Sequence, residues 1–135
     1  MSAGNAASVK HQLQGLKILV VDDSKTIRRT AETLLAKEGC EVFTAVDGFD
    51  ALAKIADHNP DIIFVDIMMP RLDGYQTCSL IKHNKTFKET PVIMLSSKDG
   101  LFDRARGRLV GSEQYLTKPF TKDELLGAIA SHVAR

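Results

Sequence analysis

Asp61-Ile62-Ile63-Phe64-Val65-Asp66-Ile67-Met68-Met69-Pro70 is the stretch on which the fold turns. Ile62 to Val65 form a short run of β-branched and aromatic side chains with no polar interruption, the pattern of a strand buried on both faces. Asp66 stands where the run ends, and Pro70, which has no N–H to donate, closes the segment. A carboxylate at that place either solvates a strand end or caps a helix, or it faces a ligand. The rest of the chain decides between these.

Outward from this strand the pattern alternates strand and helix. Leu16 to Val21 is an apolar run broken only by Lys17, and it ends in Asp22-Asp23. From Lys25 the apolar period becomes helical through Ile27, Ala31, Leu34 and Leu35, with Gly39 as the stop. Glu41 to Val46 predicts a second strand. Asp47-Gly48 then opens a helix whose expected inner face is Phe49, Leu52, Ile55 and Ala56, closed by Asn59-Pro60. Past the third strand, Asp73 and Gln76 have capping-box spacing for a helix turning Tyr75, Cys78 and Ile81 inward. Pro91 leads a fourth strand, Val92 to Leu95, ending in Ser96-Ser97. A fourth helix is expected from Asp99 to about Val110, and a fifth strand from Gln114 to Thr117 ends at Lys118-Pro119. Thr121 and Glu124 cap a last helix with Leu125, Leu126, Ile129 and Val133 inward.

Five strands each followed by a helix make an α/β chain with a parallel, right-handed, doubly wound sheet. All four prolines (Pro60, Pro70, Pro91, Pro119) fall at element boundaries, as central strands require. The 135 residues, 44% hydrophobic and 26% charged, suit one domain over residues 15–135 behind a short disordered leader, residues 1–14. Eighteen Lys and Arg against 17 Asp and Glu argue for no nucleic-acid or anionic-membrane partner. Cys40, Cys78 and the four scattered histidines have neither disulfide-framework nor zinc spacing. With no apolar leader core or membrane-length run, a soluble, reduced, cytoplasmic protein is expected.

In such sheets ligands bind beyond the carboxyl ends of the strands. The residues there are Asp22 and Asp23 after the first strand, Asp66 after the third, Ser96 after the fourth and Lys118 after the fifth. Each alone reads as a cap, a turn residue or a surface charge. Together, three carboxylates at one sheet edge repel unless a cation compensates them. Hard oxygen donors suit Mg2+, and Lys118 adds countercharge.

Asp22-Asp23, Asp66 followed by Met68-Met69-Pro70 and Asp73-Gly74, Ser96, and Lys118-Pro119-Phe120 resemble the receiver domains of two-component response regulators, of the single-domain chemotaxis kind called CheY-like. The resemblance spans about residues 16–134. It implies a flavodoxin-like sheet of order 2-1-3-4-5, an aspartyl phosphate on Asp66, and Mg2+ held by Asp23, Asp66 and the Met68 backbone carbonyl, with Asp22 acting mostly through water. It also implies a cis bond before Pro119, phosphate contacts from Lys118 and Ser96, and a switch in which Tyr115 turns inward as Ser96 is drawn to the phosphate. A sensor histidine kinase is the implied donor. The implied readout face is the fourth helix, fifth strand and fifth helix, where Arg104, Arg106 and Arg108 read as a solvated basic face and Gly107 as a soft spot.

The strings Asp22–Arg29, Asp47–Ala56 and Met94–Asp103 are similar, more narrowly, to regulators of type IV pilus twitching motility, which implies a chemosensory kinase upstream and a pilus-machinery protein downstream. Such a chain is a phosphoacceptor rather than an enzyme. A flagellar chemotaxis receiver is the alternative. An aspartate-nucleophile phosphohydrolase needs a second Asp two residues past Asp66, where Met68 stands, and a nucleotide or flavin binder lacks a GxxxxGK or GxGxxG after the first strand. Met68 and Lys98 replace the Asn and Glu of the best-known chemotaxis member beside the path of the attacking water. A long-lived phosphate is therefore expected, and Lys98 puts recognition by that member's phosphatase in doubt.

Overall fold

The computed structural model describes residues 13–97 and 101–133. Strands β1 (Lys17–Val21), β2 (Glu41–Ala45), β3 (Ile62–Asp66), β4 (Val92–Ser96) and β5 (Gln114–Thr117) alternate with helices α1 (Lys25–Lys37), α2 (Gly48–His58), α3 (Gly74–Lys82), α4 (Leu101–Leu109) and α5 (Lys122–His132). The strands pair in parallel in the order β2-β1-β3-β4-β5.

Alternation along the three central strands divides the core in two, because successive side chains point to opposite faces. Ile18, Val20, Ile62, Phe64, Ile93 and Leu95 join Ala31 and Leu35 of α1 and Leu125, Ala128 and Ile129 of α5. Leu19, Val21, Ile63, Val65, Val92 and Met94 join Ala51 and Ile55 of α2 and Tyr75, Cys78 and Ile81 of α3 on the other face. Every residue of β3 and β4 is buried, which is why their polar ends, Asp66 and Ser96, are carried into the interior margin. Burial of each large apolar side chain here contributes roughly 1.5–3 kcal/mol.

Three expectations change. Phe49 and Ala56 are exposed, Phe49 at 56%, while Gly48, Ala51 and Ile55 form the buried stripe of α2. Gly48 packs so tightly on Leu72 and Thr77 that the helix rolls Phe49 off the sheet. Leu13, assigned with Gln14 to the leader, is 1% exposed within the first core cluster. Gly107 is buried against Ser112 and Met94, so it serves close packing rather than softness. Residues 1–12 of the expected leader, Lys98 and Asp99 lie outside the described residues. Cys40 and Cys78 are both buried thiols outside any disulfide, and burial pushes the Cys78 thiol up to about 12.

Candidate functional site

Each strand end delivers its residue to one place. Asp22 follows β1 at 0% exposure, and its backbone extends the ladder by donating to the Ala45 carbonyl at 3.1 Å. Its Oδ1 accepts from the Ser24 N–H at 2.8 Å, while Ser24 caps α1, so one short turn orients the acid and starts the helix. Arg28, a turn further on, donates to the Asp22 carbonyl at 2.7 Å. Asp66 ends β3 at 2% exposure, and its Oδ1 accepts from the Met68 N–H at 3.3 Å. Lys118 Nζ spans the two acids, 3.1 Å from Asp22 Oδ2 and 3.1 Å from Asp66 Oδ1. The Lys118 N–H donates to the Ser96 carbonyl at 2.6 Å, which fixes the β5 end beside the β4 end, and the Lys118–Pro119 bond is cis. Ser96 is 3% exposed.

Carboxylate oxygens of Asp22, Asp23 and Asp66 lie within 4.8 Å of one another, with Asp23 exposed to solvent. That crowding has an electrostatic signature. Burial first, and the Asp22 charge second, push the Asp66 carboxyl up to about 6, against the pull of Lys118. For Lys118 burial favours the neutral amine, yet Asp66 and Asp22 together outweigh it and raise its pKa. One lysine thus leaves the three acids short of neutrality. Three hard oxygen donors, one of them solvent-facing, fit a small divalent cation that keeps part of its water shell.

The β3–α3 loop is held from three sides. Gly74 N–H donates to the Ile67 carbonyl at 2.9 Å, and a Cβ on Gly74 would strike the Asp66 carbonyl oxygen and come 2.7 Å from Ile67 Cα. Only glycine lets α3 start this close to the Asp66 backbone. Arg71, at φ +67°, reaches back to Asp47 Oδ2 at 2.6 Å and lies 6.0 Å from the Phe49 ring centre. The Asp50 N–H above all, with Arg71 helping against the effect of burial, holds the Asp47 carboxyl below its ordinary value. Third, the Tyr75 hydroxyl donates to the Asp103 carbonyl at 3.2 Å and its carboxylate at 3.4 Å, tying α3 to α4. Burial, then Asp103, pushes that hydroxyl up to about 12. A cavity of about 320 Å³ opens past the ends of β3 and β4, with Met68, Met69, Tyr75, Ser96 and Arg106 among its walls. Met68 is 63% exposed at its mouth.

The strand-end residues picked from the sequence therefore converge. Tyr115 sits apart on β5, half-buried against the second core cluster, with Arg104 5.4 Å from its ring centre. The sequence reading missed the Asp47–Arg71 clasp and the Tyr75–Asp103 tie. Neither has a periodic or spacing signal, since both join residues far apart in the chain that lie on different elements.

The family model described as response regulator receiver domain matches residues 18–130. The chain belongs to the response regulator receiver domain family. It is 77% identical over 125 residues to Protein PilG of Pseudomonas aeruginosa, with 93% of each chain covered. The chemotaxis protein CheY4 of Vibrio cholerae superposes with a TM-score of 0.84 at 34% identity, covering 88% of this chain and 99% of that one. A putative response regulator of Chloroflexus aurantiacus gives a TM-score of 0.86 at 31% identity, covering 90% and 100%.

Proposed function

We propose that Asp66 is the phosphoacceptor of a response regulator that signals by protein contact and is not itself an enzyme acting on a separate substrate. The observation that carries this is Lys118 Nζ at 3.1 Å from both Asp22 and Asp66, inside a cluster of three carboxylates at one sheet edge. Asp23, Asp66 and the Met68 carbonyl would hold Mg2+, with Asp22 acting mostly through water. When bound, the cation neutralises phosphoryl charge.

An Asp66 carboxylate oxygen attacks phosphorus of a kinase phosphohistidine; the N–P bond breaks, its electron pair stays on the imidazole, and that ring takes up a proton. Lys118 shifts from the carboxylates toward the new phosphoryl oxygens, and the Ser96 hydroxyl donates to one of them. Little covalent work is left to the protein beyond holding these groups in place. Ser96 and Tyr115 form the switch, and α4, β5 and α5 the readout face. Against a hydrolase stands Met68, an exposed thioether where a general acid is needed.

The 77% identity to Protein PilG supports a chemosensory histidine kinase as donor and a pilus-machinery protein as target, in control of type IV pilus twitching, ahead of a flagellar pathway. Among the described residues no helix is long and apolar enough to cross a membrane, and we place the protein in the cytoplasm. Acetyl phosphate with Mg2+ labels the wild type with one acid-stable, hydroxylamine-labile phosphate. Retained labelling in Asp66→Asn overturns the assignment of the nucleophile.

A further inference from the structure

Helix α4 turns about 100° per residue. Arg104 and Arg108 thus share the flank that faces β5, Arg106 and the following Val110 share the opposite flank facing α3, and Ala105 and Leu109 form the crest between them. The surroundings agree with this geometry. Arg104 and Arg108 line a cleft with Tyr115, while Arg106 and Val110 line a separate groove of about 450 Å³ whose other wall is Leu72, Tyr75 and Leu80 of the α3 side. Leu109 on the crest is 87% exposed and Leu80 across the groove 49%, large apolar groups that water solvates poorly.

The charged wall residue of this groove is Arg106, with Arg108 across the crest, while Asp103 is held at the Tyr75 hydroxyl. Within α4 three arginines stand against Asp103 alone. Among the described residues neither Arg106 nor Arg108 pairs with a carboxylate. Arg106 instead lies over the Tyr75 ring, 4.2 Å from its centre, where its N–H groups can still meet an acid.

We propose that the α3–α4 groove is a docking surface for an acidic amphipathic helix of a partner protein. This lies on the opposite flank of α4 from the readout face proposed above. The partner's apolar stripe sits on Leu72, Leu80, Leu109 and Val110, and its flanking carboxylates meet Arg106 and Arg108 across the crest. Tyr75 and Arg106 also wall the cavity lined by Met68 and Ser96, so the groove and that cavity share two side chains.

The test uses the full chain, labelled with nitrogen-15, and two capped peptides of about 14 residues, near the length at which isolated helices become marginal. Both carry leucines at helical i, i+4, i+7 spacing, one on a Glu/Ala background and one on a Lys/Ala background. The Glu peptide should shift the amide signals of Leu80, Arg106, Leu109 and Val110, and Arg106→Glu and Leu80→Ser, checked for folding by circular dichroism, should each weaken it about 5-fold or more. Equal binding of both peptides, shifts centred on Tyr115, or no binding at all overturns the inference. So does peptide-independent dimerisation lost in Leu109→Ser, which would make a second copy the occupant. Acetyl phosphate labelling of the wild type is run alongside: absent labelling breaks the proposed phosphoacceptor function, whereas labelling without peptide binding breaks only the docking surface.

Discussion

The carboxyl ends of β1 and β3 and the outer surface of α4 are built on opposite terms. At the strand ends, acids at 0% and 2% exposure crowd one lysine, and α3 begins so close to the Asp66 backbone that only a glycine fits. On α4 the arginines and Leu109 stand in solvent, and the helix is tied to its neighbours through a few contacts such as the Tyr75 hydroxyl. Local stability follows burial and contact density, so the outer surface of α4 is held less firmly than the strand ends. Chemistry needs the firmer hold and a switch needs the looser one.

The largest effect that can break this contrast comes from one chemical change made in both regions. Gly74→Ala drives a methyl into the Asp66 and Ile67 backbone, and urea denaturation should show a loss of about 3 kcal/mol. Gly107→Ala brings a Cβ to 3.1 Å from Ser112 Oγ and 3.6 Å from Met94 Cγ, close contacts to side chains that can give. Gained helix propensity of about 0.5–1 kcal/mol offsets them, so its net change should stay within about 1 kcal/mol. Equal losses would erase the distinction.

Next in size is the charge stored at the strand ends. The folded state raises Asp66 from 3.8 to about 6, so between those values the native protein holds more protons than the unfolded chain. Stability from this group is full below about pH 4 and is lost as pH rises through 6. In EDTA, Asp66→Asn should therefore be more stable than wild type by roughly 1–3 kcal/mol at pH 7.5, with the gain vanishing toward pH 4. Adding Mg2+ to the wild type should narrow the gap. A gain that grows on acidification would reverse the sign and refute the electrostatic account.

Met68 sharpens the kinetic side. An exposed thioether offers no strong hydrogen bond to an attacking water, so Met68→Asn should shorten the phosphoryl half-life about 3- to 10-fold, the worth of a hydrogen bond of 0.5–1.5 kcal/mol. Decay followed after removal of acetyl phosphate reads this directly, and an unchanged half-life would remove Met68 from the account. Smallest of all, Leu109→Ser should alter stability by no more than about 0.5 kcal/mol, because the side chain is 87% exposed. A larger loss in the same urea measurement would mean that the crest is packed rather than presented.

Much of this was legible in the chain because periodicity reports local burial. Strands β3 and β4 read as continuous apolar runs since both faces are covered, and Asp73–Gln76 and Thr121–Glu124 form the capping boxes that their spacing announces. The convergence of Asp22, Asp66, Ser96 and Lys118 followed from the parallel sheet, which puts every strand end on one edge. Phe49 misled because an aromatic at the first turn of a helix fits a helical stripe, while the tight seat of Gly48 on α3, invisible to periodicity, sets the helix roll. Leu13 was too isolated an apolar residue to separate from the polar leader around it. The Asp47–Arg71 clasp and the groove beside α4 depend on distances between elements, and no local pattern encodes those.

The central claim is that phosphate is accepted by Asp66 and by no other acid of the cluster. Borohydride reduction of the acetyl phosphate-treated protein converts an aspartyl phosphate to homoserine, and peptide mass spectrometry then locates it. Homoserine at position 66, dependent on Mg2+, is the predicted result; homoserine at position 22 or 23, or none, would contradict it.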